Sequence, residues 1–377
     1  MKIERVTVFP LRLPIRDAFY IAGKVAADPS QGAPHIYVRL IADDGSEGWG
    51  EARPSPRWSY ETPESVVTTI RRYFAPLLEG WAVGSIDELH RRMDGEIAAG
   101  PFPGQPIARS AIDTAVHDLL ARSAGLSLCR YLGGADPVPQ PLACLVTART
   151  AEEYVEKVSE ARSRNYRGYK VKIGKGVGLD VEILQAIRKV VGDAYVWADA
   201  NAAYTFAEAR DLSRRVHGLV EVLEQPLPAE DWEGAARLSA ISDVPIALDE
   251  SLYTPRSILQ YLNRGPLHAL VVKVNRCGGV RPCFVSGLIA REAGAFLLGS
   301  GLTDSRLALA TACHVFQALG IESPPDLNGP QFIGGGPVEE AVPFVDGVAM
   351  LPPGPGIGFQ PSEEAVQPFV DADWDRL

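Results

Sequence analysis

Tyr169-Lys170-Val171-Lys172-Ile173 is an apolar run broken by two lysines, and 27 residues beyond Lys172 the run Val196-Trp197-Ala198-Asp199 ends in an acid. Leu219-Val220-Glu221-Val222-Leu223-Glu224 closes on a glutamate 25 residues after Asp199. Pro245-Ile246-Ala247-Leu248 then runs into Asp249 and Glu250, and Leu270-Val271-Val272-Lys273 ends in a lysine 24 residues after Asp249. One strand with its return helix takes about that length, so the polar groups recur once per βα unit, at the C-terminal end of each strand. In a closed barrel those ends form one mouth. Lys170 and Lys172, two apart on a strand, project from the same face.

Outward from this stretch the pattern repeats. From about residue 138, short apolar runs (141–147, 169–173, 195–199, 219–223, 244–248, 269–273, 295–299 and a weaker 320–326) alternate with amphipathic helices. Thr150-Ala151-Glu152-Glu153 and Thr205-Phe206-Ala207-Glu208 open two of those helices as capping boxes. Continuously apolar strands between helices indicate a parallel sheet buried on both faces, and about eight of them indicate a (β/α)-barrel over 129–330. Ahead of it, residues 2–13 alternate and 35–52 form two strands about a turn at Asp44-Gly45. Helices follow from Thr62-Pro63 (stripe Val66, Val67, Ile70, Phe74, Leu77), from Ser85 with Glu88 as a capping box, and through Ile107, Ile112, Val116, Leu119 and Leu120 to Gly125. This predicts an α+β capping domain over 1–128, to which the Gly- and Pro-rich segment 331–377 returns.

Three carboxylates (Asp199, Glu224, Asp249) converging at a half-dry mouth repel one another and call for a cation. All-oxygen ligands suit Mg²⁺ or Mn²⁺. Such an ion stabilises the extra negative charge that appears when a proton is taken from the carbon next to a carboxylate, giving an enediolate. Lysine acts as the base only when partly neutral, and Lys170 beside Lys172 lowers the pKa of its neighbour. Lys172 and Lys273 flank the acids and can work on opposite faces of one carbon. Singly, each acid also reads as a helix cap and each lysine as a snorkelling surface residue; their common phase with the fold sets the group apart. His90, His117, His217 and His314 fall on predicted helices and His268 precedes its strand, so a His-Asp base has no place. No Gly-x-Ser-x-Gly elbow or P-loop occurs, and Gly334-Gly335-Gly336 reads as a turn.

With 377 residues and a net charge of −10, and no basic run, the chain is unsuited to nucleic acid. No stretch has the roughly 18 apolar residues of a membrane span, and the N-terminus lacks a signal-peptide core, so a cytoplasmic enzyme is expected. The five cysteines (129, 144, 277, 283, 313) are scattered without a CxxC pair and read as reduced, mostly buried thiols.

Lys170-Val171-Lys172, Asp199-Ala200-Asn201, Glu224-Gln225-Pro226, Asp249-Glu250-Ser251 and Lys273 with Asn275-Arg276 together resemble the muconate lactonizing enzyme subgroup of the enolase superfamily. The resemblance spans nearly the whole chain. It implies Mg²⁺ on Asp199, Glu224 and Asp249, an acid/base pair of Lys172 and Lys273, and Lys170 assisting and contacting a substrate carboxylate. Asn201 and Glu250 would support these groups from behind. Cap loops at roughly 15–30 and 52–60, with Tyr20 as a candidate, would shape the pocket for a small carboxylate substrate, and a homo-oligomer is expected. Asp326-Leu327-Asn328 lacks the second acid of the Asp-x-Asp found in dipeptide epimerases, and Asp304 stands where a glutamate is common. Either acid can meet an amine or serve as a cap. Racemisation or epimerisation of an amino-acid-derived carboxylate is the favoured outcome, on the strength of Asp304 and Asp326. Muconate-type cycloisomerisation and dehydration through the same intermediate remain alternatives. So do a Schiff-base aldolase or lyase using Lys172 or Lys273, and a binding-only relative.

Overall fold

A computed structural model of the chain describes residues 1–21, 24–100 and 103–377. The N-terminal layer is an antiparallel sheet of β1 (Ile3–Leu13), β2 (Ala33–Ala42) and β3 (Glu47–Ala52), ordered β1-β2-β3 with the β2–β3 turn at Asp44-Gly45. Helix α1 (Pro63–Thr69) starts at the Thr62 cap and Pro63 and runs without a break through a π-turn at Ile70–Phe74 to Leu78. That wider turn advances the phase by about one residue, so the buried stripe is Val66, Val67, Ile70, Phe74 and Leu78, and the predicted Leu77 is only half-buried.

Two later helices, α2 (Ile86–Glu96) and α3 (Pro106–Ser123), complete this layer. At the start of α2, Ser85 accepts from the Glu88 amide, but the Glu88 carboxylate turns to Trp81 Nε1 and Arg92, so only half the expected box forms. Thr150 behaves the same way, with Glu153 bonding the Arg149 amide, whereas the Thr205–Glu208 box is complete.

Helix α3 is buried on nearly every side and joins the parts of the molecule. Strand β3 lies so close to it that a Cβ at Gly50 would sit 2.1 Å from the Ala111 carbonyl oxygen, which only glycine permits. Asp113 accepts from the Val280 amide at the start of the helix Val280–Glu292. Asp118 accepts from the Trp49 amide and, at 2.9 Å, from the Ile357 amide of the returning C-terminal segment. That segment also meets the cap through Trp374 Nε1 to Glu64 and Arg71 to Asp375.

The second layer is a (β/α)-barrel. Strands β4 (Ala143–Val146), β5 (Gly168–Lys172), β6 (Tyr195–Asp199), β7 (Val222–Glu224), β8 (Ile246–Leu248), β9 (Ala269–Val272) and β10 (Phe296–Gly299) pair in sequence order, all parallel. The expected eighth strand at 320–326 is reduced to a bridge. Asp326 N donates to Gly299 O, Gly301 N to Asp326 O, and Ala143 N to Pro325 O, closing the ring. Pro324 and Pro325 supply no amide donors, so no ladder can form there. Trp197, Val222, Ala247, Ala269, Val271 and Leu298 fill the barrel interior. His217 lies in the turn beyond its helix, not on it, and His35, on β2, is fully buried. All five cysteines are free and buried, and no described helix is long and apolar enough to cross a membrane.

Candidate active site

Register places the polar groups. Lys172 on β5 lies opposite Asp199 on β6, and Asp199 opposite Glu224 on β7, so three neighbouring strands end level with one another. Asp249 follows β8 by one residue and Lys273 follows β9. The spacing read from sequence therefore brings all five to one mouth. Lys172 Nζ is 2.7 Å from Asp199 Oδ2 and 2.8 Å from Asn201 Oδ1. Lys170 Nζ lies 3.0 Å from the same Asp199 oxygen, 2.9 Å from Glu224 Oε2 and 4.2 Å from the centre of the Trp197 ring. Lys273 and Arg276 hold the two oxygens of Asp249.

The chain past these strands is held in unusual conformations. Asn201 (φ 44°) and Gln225 (φ 37°) occupy the left-handed region at some cost, as is common in functional sites. Asn201 bonds Lys172 and, through Nδ2, Glu250 Oε1 at 3.2 Å. Gln225 accepts from the Asp249 and Ser251 amides and donates to Ser251 Oγ, tying β7 to the chain beyond β8.

Burial sets the electrostatics. It pushes up the Glu224 carboxyl, facing Asp199 and Asp249, well above the carboxylate range, and lifts Glu250 to about 7 with help from Asp249 and Asp199. For Asp249 burial is outweighed by Arg276 and Lys273, which bring it to about 2; for Asp199, Lys170 and Lys172 win and hold it low. Lys170 is buried too, but four carboxylates keep its ammonium well above the lysine range, the reverse of what a base needs. Lys273 is lowered, by burial and then by Arg276.

The donor set suits a hard divalent cation. Oxygens of Glu224, Asp249 and Glu250 lie within 4.8 Å of one another, and the buried Oε2 of Glu250 lacks a hydrogen-bond donor among the described residues. Asp199, expected as a ligand, is outside that trio and engaged by Lys170 and Lys172, while Glu250, expected behind the site, is inside it.

Lys170, Lys172 and Lys273 line one small cavity with Arg53, Ser55 and Trp58 of the cap and with Ser300–Thr303, Asp326 and Asn328 of the barrel. The expected loop 52–60 is there. Of the loop 15–30, residues 22–23 lie outside the described residues; Tyr20 is not part of the cavity wall, and its hydroxyl pairs with Arg149 at 3.1 Å. Asp304 also turns away. Its oxygens accept from Asn275 Nδ2 (3.0 Å) and the Leu302 amide (3.1 Å), and burial lifts it to about 7. Asp326 does line the cavity, but it already accepts from Asn328, Ser300 and, at 3.4 Å, Lys170. Of the two acids, Asp326 alone is placed on the cavity wall, where an amine-bearing substrate would have to share it with Asn328, Ser300 and Lys170. Arg53 and Trp58 belong to the loop 52–60, and the fold singles them out within it by placing them on the cavity wall. Arg276, visible within its motif, gains its role from the bond to Asp249.

Known proteins resemble this chain over most of its length. The N-terminal domain model of mandelate racemase / muconate lactonizing enzyme matches residues 12–133, and the enolase C-terminal domain-like model matches 153–365. Muconate cycloisomerase 1 of Rhodococcus opacus is 30% identical over 357 residues, spanning 92% of this chain and 94% of that protein. N-succinyl-L-Arg/Lys racemase of Bacillus cereus is 27% identical over 97% of both chains. The crystal structure of muconate lactonizing enzyme from Pseudomonas fluorescens with muconolactone superposes with a TM-score of 0.89 at 27% identity, covering 98% of this chain and 99% of that one.

Proposed function

This chain belongs to the mandelate racemase / muconate lactonizing enzyme family of the enolase superfamily, and on that premise we propose that it is a Mg²⁺-dependent isomerase that removes the proton alpha to a substrate carboxylate. The observation that carries the reading is that Lys172 and Lys273 line one cavity from separate strands, on either side of the acids at the strand ends.

A divalent cation held by Asp199, Glu224, Asp249 and the neighbouring Glu250 would supply the positive field that lowers the energy of an enediolate. The chain's own residues do the rest. Asn201 fixes the Lys172 ammonium by a 2.8 Å bond, and Asp249 with Arg276 fixes Lys273. One lysine Nζ takes the alpha proton, leaving its electron pair in the enediolate, and the other returns a proton to the opposite face, which inverts the centre. Lys170, kept charged, pairs with the substrate carboxylate. Trp58, whose ring centre is 5.8 Å from Lys172 Nζ and 5.7 Å from the Arg276 guanidinium carbon, keeps water from the bases.

Racemisation or epimerisation is the outcome these two bases support best. Cycloisomerisation of an unsaturated diacid is the second reading, favoured by a cavity wall with four cationic side chains (Arg53, Lys170, Lys172, Lys273) and one acid, Asp326. Proton NMR in D₂O with Mg²⁺, over N-acyl amino acids, dipeptides, proline derivatives and muconate, tests both. Alpha-proton exchange that EDTA abolishes is expected, and lactone signals would select the second reading. Lys172→Ala and Lys273→Ala should each lower turnover by about 10²- to 10⁴-fold. Wild-type rates in either would sink the assignment.

A further inference from the structure

The cavity's cations are not equivalent. Lys170 is within 4.0 Å of Asp199, Glu224 and Asp326, Lys172 pairs with Asp199, and Lys273 with Asp249. Arg53 is only 4% exposed, yet among the described residues no carboxylate comes within ion-pair distance of it. Three of its contacts are to carbonyl oxygens, Nε to Thr303 and Nη1 to Pro34 and Pro54, and they fix the plane of the guanidinium. Nη2 finds no acceptor among the described residues, and the side chain forms part of the cavity wall beside Ser55 and Trp58.

A buried cation without a counter-ion is costly, and the planar fork of arginine suits a carboxylate. Asp304 and Glu51 contribute only at longer range, so burial brings the guanidinium down to about 10, still charged at neutral pH. The position is also rigid, since the Arg53 amide is bonded to Asn275 Oδ1 at 3.2 Å, two residues from Lys273.

We propose that Arg53 determines specificity, its free Nη2 pairing with a second carboxylate at the far end of the substrate. The inference rests on reading this cavity as the substrate site, and it narrows the substrate to a dianion whose reacting end meets the lysines. An arginine that served only to brace the loops at Pro54 and Thr303 would affect stability without distinguishing one ligand from another.

Calorimetric titration of the Mg²⁺-loaded protein with succinate, glutarate and adipate, each against its monomethyl ester, tests this without turnover. The best diacid should bind about ten- to a hundredfold tighter than its ester, the range of one charged hydrogen bond. In Arg53→Gln that ratio should collapse towards one while the ester binds as before. Should Arg53→Gln not fold, Arg53→Lys, which keeps the charge but loses the fork, should weaken the diacid selectively. No diacid preference in the wild type, an unchanged ratio in Arg53→Gln, or equal weakening of both ligands in Arg53→Lys would each overturn the proposal. Diacid selectivity without alpha-proton exchange would refute the proposed chemistry and leave Arg53 standing; exchange without selectivity would do the opposite.

Discussion

His35 offers a quantitative check on how the cap is seated. It is fully buried on β2, with Nδ1 2.7 Å from Glu51 Oε1 and Nε2 without a partner among the described residues. Glu51 in turn accepts from the Ser305 and Ala308 amides, capping the barrel helix Arg306–Ala318. Burial outweighs the bond to Glu51 and lowers His35 from 6.5 to about 4. A histidine depressed in the folded state contributes stability that is complete above its unfolded pKa and is lost as pH falls towards the folded one, here between 6.5 and about 4. Taking protonation of both states, the loss between pH 7 and pH 4.5 comes to about 2.5 kcal/mol. His35→Gln keeps a donor to Glu51 but cannot titrate. Urea unfolding at both pH values should show the wild type losing about 2.5 kcal/mol more than the variant. His314, lowered to about 4 by burial, titrates in both proteins and drops out of the difference. Equal pH dependence in the two would refute the view that His35 is sealed and neutral.

Gly50→Ala should lower stability by about 3 kcal/mol, read as a fall in Tm, because its Cβ would meet the Ala111 carbonyl at 2.1 Å. Gly95→Ala on the exposed face of α2, with nothing within 4 Å, should have the opposite sign and gain up to about 1 kcal/mol. Asn201→Ala should cost about ten- to a hundredfold in kcat/KM by releasing Lys172, and an unchanged value would remove Asn201 from the site. Mg²⁺ at a hundred times its Kd should stabilise the wild type by about 2.7 kcal/mol, and this thermal shift should shrink sharply in Glu224→Gln; an equal shift would place the ion elsewhere.

The barrel and its chemistry were legible because both depend on period. A strand end recurs with each βα unit, and Lys172, Asp199 and Glu224 mark three successive ends that the register sets level. What escaped depends on neighbours remote in sequence. The π-turn that exchanges Leu77 for Leu78 leaves no local signature. Glu88 has the spacing of a capping box, yet Trp81, seven residues earlier, competes for its carboxylate. Asp304 looked available from its place after a strand, but Asn275 and its own loop amide take both oxygens. Arg53 looks like any arginine after a strand until the fold buries it. The weak eighth unit was anticipated, and its cause, Pro324-Pro325, is visible in the sequence once donors are counted.

That closure has a dynamic consequence. Six joints of the ring are strand ladders, whereas the joint between β10 and β4 is made by three backbone hydrogen bonds around Pro325 and Asp326. A joint without a continuous ladder is the expected place for local opening, which hydrogen exchange at the Gly301 and Asp326 amides would report. Ser300 and Asp326 stand at this seam and line the cavity, while Lys172, Asp199 and Glu224 end the paired strands β5, β6 and β7. Loosening of that one wall would leave Lys172, Asp199 and Glu224 in register.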